Sequence, residues 1–102
     1  MEPTELETIE TQYWVDQAEA LERLMKNKDF KTVILEGFFK DRAINGVSML
    51  ADPGIKQRGE RGEIMEDMVA ISNLQYHFKM IRNLGAIAQD DMDEETRPGS
   101  EA

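Results

Sequence analysis

Apolar residues recur at steps of three and four positions through three long segments, and this period most constrains the fold. In the first segment, at about 4–26, Trp14, Ala18, Leu21 and Met25 fall on one helical face. Two further segments, at about 29–50 and 63–84, show the same period, and no convincing pair of strands accompanies them. The pattern predicts an all-α fold, a three-helix hairpin or bundle that runs up, down and up.

The second of these segments is apolar around much of its circumference, so we expect it to be the central and most buried helix. Asp29 is the predicted cap at its start. The β-branched residues within 30–35 leave a short strand open as an alternative to helix there. Gly37 and Gly46 are each unfavourable inside a helix, and they either permit close helix contact or mark a break. Its apolar positions are Phe30, Val33, Ile34, Leu35, Phe38, Phe39, Ala43, Val47 and Leu50.

The third segment carries two apolar stripes, which is more than a single intramolecular face requires. Gly85 is the predicted C-terminal cap of this helix. Since one stripe suffices for the core, we expect the other to meet a second subunit. The first stripe contains Ile64, Met68, Ile71, Leu74, Phe78 and Ile81, and the second contains Met65, Val69, Tyr76 and Met80.

Turn and tail signals set the remaining boundaries. Asp52-Pro53-Gly54 predicts a turn, and 51–62 is expected to be a flexible loop. The acidic stretch 89–102 has few apolar residues and is expected to be a disordered tail. The sequence therefore predicts one helical domain at 1–88 followed by this tail.

The formal net charge is −9, and it is unevenly placed. Residues 1–28 carry −4, residues 29–88 carry 0, and residues 89–102 carry −5. Clustered Lys and Arg, which direct binding to nucleic acid requires, are absent, so we expect no nucleic-acid partner. A basic protein surface is a more natural partner for the acidic ends, although these ends could also serve only solubility. The sequence has no apolar run long enough for a membrane span and no signal-peptide pattern at its start.

No group of residues predicts catalysis. The chain has no cysteine, and His77 is its single histidine. Glu63, Glu66 and Asp67 could hold a hard cation, but acids are favoured in the first turn of a helix by its dipole alone. The glycines of 54–59 are spaced like a phosphate-binding loop but lack the following Lys-Ser/Thr, and the acids of 91–95 lack the central glycine of a calcium loop. We expect a non-enzymatic protein without catalytic, cofactor or metal residues.

Six residues are the candidate protein interface. Aromatic residues are common interface anchors, and methionine-rich faces adapt to partners. Packing within the core is the alternative for each. The candidates are Tyr13, Trp14, Met65, Val69, Tyr76 and Met80.

The segments Ala20–Leu24, Asp29–Phe39 and Leu50–Pro53 resemble a group of small acidic helical proteins encoded by tailed bacteriophages. The resemblance covers about residues 15–84, and no catalytic motif accompanies it. It implies a phage context, located in the host cytoplasm, the virion or both. The leading hypothesis is a virion-associated or assembly protein that forms homo-oligomers through helical faces. The alternative is an acidic inhibitor or adaptor that binds a basic surface of a host nucleic-acid-binding protein.

Overall fold

The computed structural model describes residues 5–96, with side-chain environments for residues 9–94. All of its regular elements are helical, so the predicted all-α class is confirmed. The first helix is Glu5–Lys26, a middle helix follows at 28–50, a short helix is Pro53–Gln57, and a long helix is Arg61–Thr96. Within this described range no strand occurs, which resolves 30–35 in favour of helix.

The middle helix begins at Lys28, with only Asn27 between it and the first helix, and its hydrogen bonding changes along its length. Asn27, and not the predicted Asp29, caps its start, because the Asn27 side chain accepts from the Phe30 N–H at 2.9 Å. The turn Lys28–Phe30 is α-helical, Lys31–Asp41 is π-helical, and Arg42–Leu50 is α-helical again. In the π-helical part N–H groups reach the fifth residue back, as in the bond from Arg42 to the Gly37 carbonyl.

The connection between the middle and long helices is structured, so the expectation of a flexible loop at 51–62 is wrong for most of its length. Asp52 caps the short helix by accepting from the Gly54 N–H at 2.8 Å, and Pro53 fits its first turn. Gly59 ends this helix at a φ of 71°, where the Gly59 and Glu60 N–H groups bond to the carbonyls of Lys56 and Ile55. This is the Schellman arrangement, and it leaves the Ile55 side chain buried.

The long helix continues well past the predicted end at residue 84. Gly85 is a buried position within the helix and not its C-terminal cap. Helix also replaces the predicted disordered tail over 89–96, while 97–102 lie outside the described residues. Ala88 is buried, and Gln89 donates to the Asp93 carboxylate one turn later at 3.0 Å, so packing and a local pair extend the helix despite its acidic end.

The described helices fall into two compact units, and the single domain expected at 1–88 stays a prediction. The terminal unit contains the first helix up to Leu24 and the long helix from Phe78 onward. The central unit is Met25–His77. Val15, Leu21, Ile81 and Ala88 are buried in the terminal unit, and Ile55, Ile64 and Ile71 are buried in the central unit.

The middle helix is not the most buried element. Gly46 is its one buried residue, and Phe38 and Phe39 are only half-buried. Its π-helical part changes the angular spacing of the side chains, so the apolar stripe read at the α-helical period does not face a single neighbour. The long helix supplies most of the buried side chains instead.

A glycine permits close helix contact in each unit. In the central unit, a Cβ placed on Gly46 would lie 3.3 Å from Cγ of Met68. In the terminal unit, a Cβ placed on Gly85 would overlap Cβ of Ala18 and lie 3.2 Å from the Trp14 carbonyl oxygen. Gly46 therefore allows close contact, as one of the two sequence-based alternatives expected, whereas Gly85 does so unexpectedly.

Candidate interaction surface

An open apolar groove of about 320 Å³ lies in the central unit, between the end of the middle helix and the start of the long helix. Leu50 comes from the middle helix, and the other lining residues come from the long helix. Gly46 positions the groove, because it lets the middle helix approach Met68. The lining residues are Leu50, Met65, Met68, Val69 and Ser72.

The groove continues into exposed apolar surface on both helices. Met65, Val69, Ser72 and Tyr76 follow at steps of four, three and four, so they share one face of the long helix. Val47 stands one turn before Leu50 on the middle helix and is 56% exposed. Met65 and Val69 are each 57% exposed and Tyr76 is 69% exposed. We call Val47, Leu50, Met65, Met68, Val69, Ser72 and Tyr76 the uncharged face.

Six of the seven residues of the uncharged face, all but Met65, lie in the two longest stretches of the sequence that lack Asp, Glu, Lys and Arg. These stretches are 43–51 and 68–78, in a chain of which 32% is charged. These stretches include positions that face solvent, such as Val69, Asn73 and Gln75. A helix that only needs to be solvated usually places charge on its outer side. This surface is therefore suited to contact with another uncharged, apolar surface.

Formal charge is segregated between the two units. The sequence of the central unit contains eight acids and eight bases, so its formal charge is zero. Residues 1–24 and 78–102 contain thirteen acids and four bases, and they hold the whole charge of −9. The uncharged face thus belongs to the neutral unit.

The structure divides the six predicted interface residues between the two units. Met65 and Val69 line the groove, and Tyr76 extends its face. In the terminal unit, Tyr13 is 53% exposed, and its ring meets the half-buried Trp14 ring edge-on at 5.0 Å between centroids. Met80 is half-buried.

Sequence reasoning missed Val47, Leu50, Met68 and Ser72 as parts of this surface. The apolar stripes predict core positions for Val47, Leu50 and Met68, and Ser72 is too small and polar to stand out by hydropathy. The absence of charge over 43–51 and 68–78 was the signal that could have found them.

The acids considered as a cation site have other surroundings. The Asp67 carboxylate accepts from Arg42 at 3.1 Å, and the Arg42 guanidinium also lies 5.5 Å from the Phe38 ring centroid. Glu63 and Glu66 are exposed. Among the residues that the structure describes, no group of three or more His, Asp or Glu is arranged to hold a metal ion.

A second ion pair lies in the connection between the middle and long helices. Arg58 donates to the Glu60 carboxylate at 2.9 Å, and this hydrogen bond lowers the pKa of Glu60 and raises the pKa of Arg58. Both side chains are well exposed, so the pair contributes little to stability. Arg61 donates to the Leu50 carbonyl at 3.1 Å and so binds the end of the middle helix to the start of the long helix.

Comparisons with known proteins do not add a relationship: no family model, no curated protein and no solved structure matches the chain. Over the described residues, none of the helices combines the length and apolar character that crossing a membrane requires.

Proposed function

We propose that this chain is a non-enzymatic assembly protein that acts by self-association through helical faces. The observation that carries the proposal is the uncharged face, where apolar side chains more than half exposed surround a groove. Isolated exposed apolar residues are ordinary, but a contiguous set beside a groove is typical of an interaction surface. The resemblance to small bacteriophage proteins supports a virion-associated or assembly role, in the host cytoplasm or in the particle.

Limited burial within each unit supports the same proposal. Seven hydrophobic residues are buried among those that the structure describes, and none of their side chains falls below 2% exposure. Small units with few buried side chains gain substantially from association, because a partner removes further apolar surface from water.

Native mass at low and high salt tests this function. We expect light scattering after gel filtration to give an oligomer whose mass is the same at both salt concentrations, since apolar contact is not screened. A monomer at both concentrations, over the micromolar range, would contradict the proposal.

Charge segregation favours one second function, that of an acidic inhibitor or adaptor for a basic protein surface. The terminal unit, which holds the whole net charge, would make that contact. Binding of this kind weakens steeply as salt increases. A monomeric chain that binds an immobilised basic protein only at low salt would support this function over self-association.

A further inference from the structure

We propose that the uncharged face binds the same face of a second copy of this chain, with the long helices antiparallel and a two-fold axis near Ser72. This inference rests on the proposed function, which requires self-association but does not specify the surface.

The chemistry of the surface restricts what can cover it. Its seven residues carry no charge, and four of them, Val47, Met65, Val69 and Tyr76, are more than half exposed. A phosphate-rich or strongly charged partner would find no counter-charge there. The occupant must itself be uncharged and apolar over a comparable area.

A second copy of the central unit meets that requirement, and the distribution of charge favours it. Two central units have zero formal charge each, so contact between them meets less repulsion than contact between the acidic units would. If two copies met through their terminal units, two units with a formal charge of −9 each would be brought together, and they would repel each other. Because the net negative charge lies in the terminal unit, the distribution of charge favours self-association through the central unit.

The spacing of residues along the long helix supplies the register. Ser72 stands midway between Met68 and Tyr76, four residues or about 6 Å from each. A two-fold axis at Ser72 therefore places Tyr76 of each copy opposite the Met68 position of the other, where the groove opens. The small Ser72 side chain permits the two helices to approach at the axis, and each Tyr76 ring occupies one groove. Such a contact uses the same residues on both copies, as two-fold symmetry requires.

Two substitutions at matched valines test the location of the contact. Val69 is 57% exposed on the face, and Val33 is 63% exposed on the π-helical part of the same unit, outside the groove. We expect Val69→Lys to weaken the dimer at least about tenfold by sedimentation equilibrium, and Val33→Lys to change it less than about twofold. Tyr76→Lys removes the ring that we propose to occupy the groove, and Tyr76 is more exposed than Val69. This variant should weaken the dimer as Val69→Lys does. Circular dichroism establishes that each variant retains its helix content.

Cross-linking tests the axis itself. The natural chain has no cysteine, so Ser72→Cys introduces a single thiol. A short bis-maleimide should join two copies of Ser72→Cys efficiently and two copies of Val33→Cys poorly. Equal cross-linking at both positions would overturn the two-fold contact at Ser72.

The outcomes separate the inference from the function on which it rests. An oligomer that survives both Val69→Lys and Tyr76→Lys overturns this inference and leaves self-association standing through another surface. A monomeric natural chain overturns both.

Discussion

At the scale of single residues, two glycines determine where helices meet. Gly46 in the central unit faces the flexible end of a methionine, so its neighbour can adjust. Gly85 in the terminal unit faces the Ala18 Cβ and the Trp14 backbone, which cannot adjust without moving the first helix. The two positions should therefore differ in their tolerance of a side chain.

We expect Gly85→Ala to lower the free energy of unfolding by up to about 2 kcal/mol. Overpacking against Ala18 costs about 1–3 kcal/mol, and the better helix propensity of alanine recovers about 1 kcal/mol at most. Gly62→Ala is the matched control, because a Cβ on Gly62 of the same helix meets nothing within 4 Å. That variant should be neutral or slightly more stable, by up to about 1 kcal/mol.

Denaturant unfolding of both variants measures the difference, and Ala18→Gly combined with Gly85→Ala tests its cause. Relief of the overlap should return much of the lost stability. If Gly85→Ala proves as stable as Gly62→Ala, the close contact at Gly85 is disproved.

At the scale of elements, the sequence specifies helices where apolar period and capping agree. The steps among Ile64, Ile71 and Ile81 correctly predict the buried face of the long helix. The sequence does not predict the π-helical part, because the apolar pattern of 31–41 fits the α-helical period. The wider hydrogen bonding of the π-helix changes which of these residues share a face. Asp52-Pro53 fits a turn in the sequence, but an aspartate before a proline also starts a helix, and the structure has the helix start.

Composition alone does not predict the end of the long helix, because contacts with other residues determine it. In the sequence Gly85 fits a C-terminal cap, but in the structure it lies within the helix, in close contact with Ala18. The acids after residue 89 fit a disordered tail, but the buried Ala88 continues the helix toward them. For a similar reason, the sequence predicts only part of the candidate surface. Exposed apolar residues at helical spacing identify Met65, Val69 and Tyr76, whereas Leu50 joins them only through contact between elements distant in sequence.

Deletion tests whether 89–96 belongs to the fold. Removing 89–102 eliminates the half-buried Met92 and the Gln89–Asp93 pair. We expect a loss of about 1 kcal/mol, or roughly 4–8 °C in melting temperature, relative to a chain that lacks only 97–102. Met92→Gln in the full chain should reproduce most of the loss. Identical melting of the two truncated chains would show that 89–96 contributes nothing to stability.

At the scale of the whole molecule, charge and apolar exposure are divided between units. All of the net charge belongs to the sequence of the terminal unit, and the groove belongs to the central unit. The sequence alone shows that both ends are acidic. It does not show that they belong to one unit, because that depends on contacts between the first helix and a segment more than fifty residues later. This division gives the molecule one surface suited to apolar contact and another suited to solvent or to a basic partner.

The sparse burial of the middle helix predicts which part of the central unit opens most readily. Gly46 is the one buried residue of that helix, whereas the long helix contributes Ile64 and Ile71 to the same unit. Backbone amides at 31–41 should therefore exchange with deuterium at least about ten times faster than those around Ile71, through local opening of the middle helix. Comparable protection at both places would contradict this order. Opening that spread from 31–41 to Leu50 would remove one wall of the groove, so a partner held on that wall should in turn slow amide exchange along the middle helix.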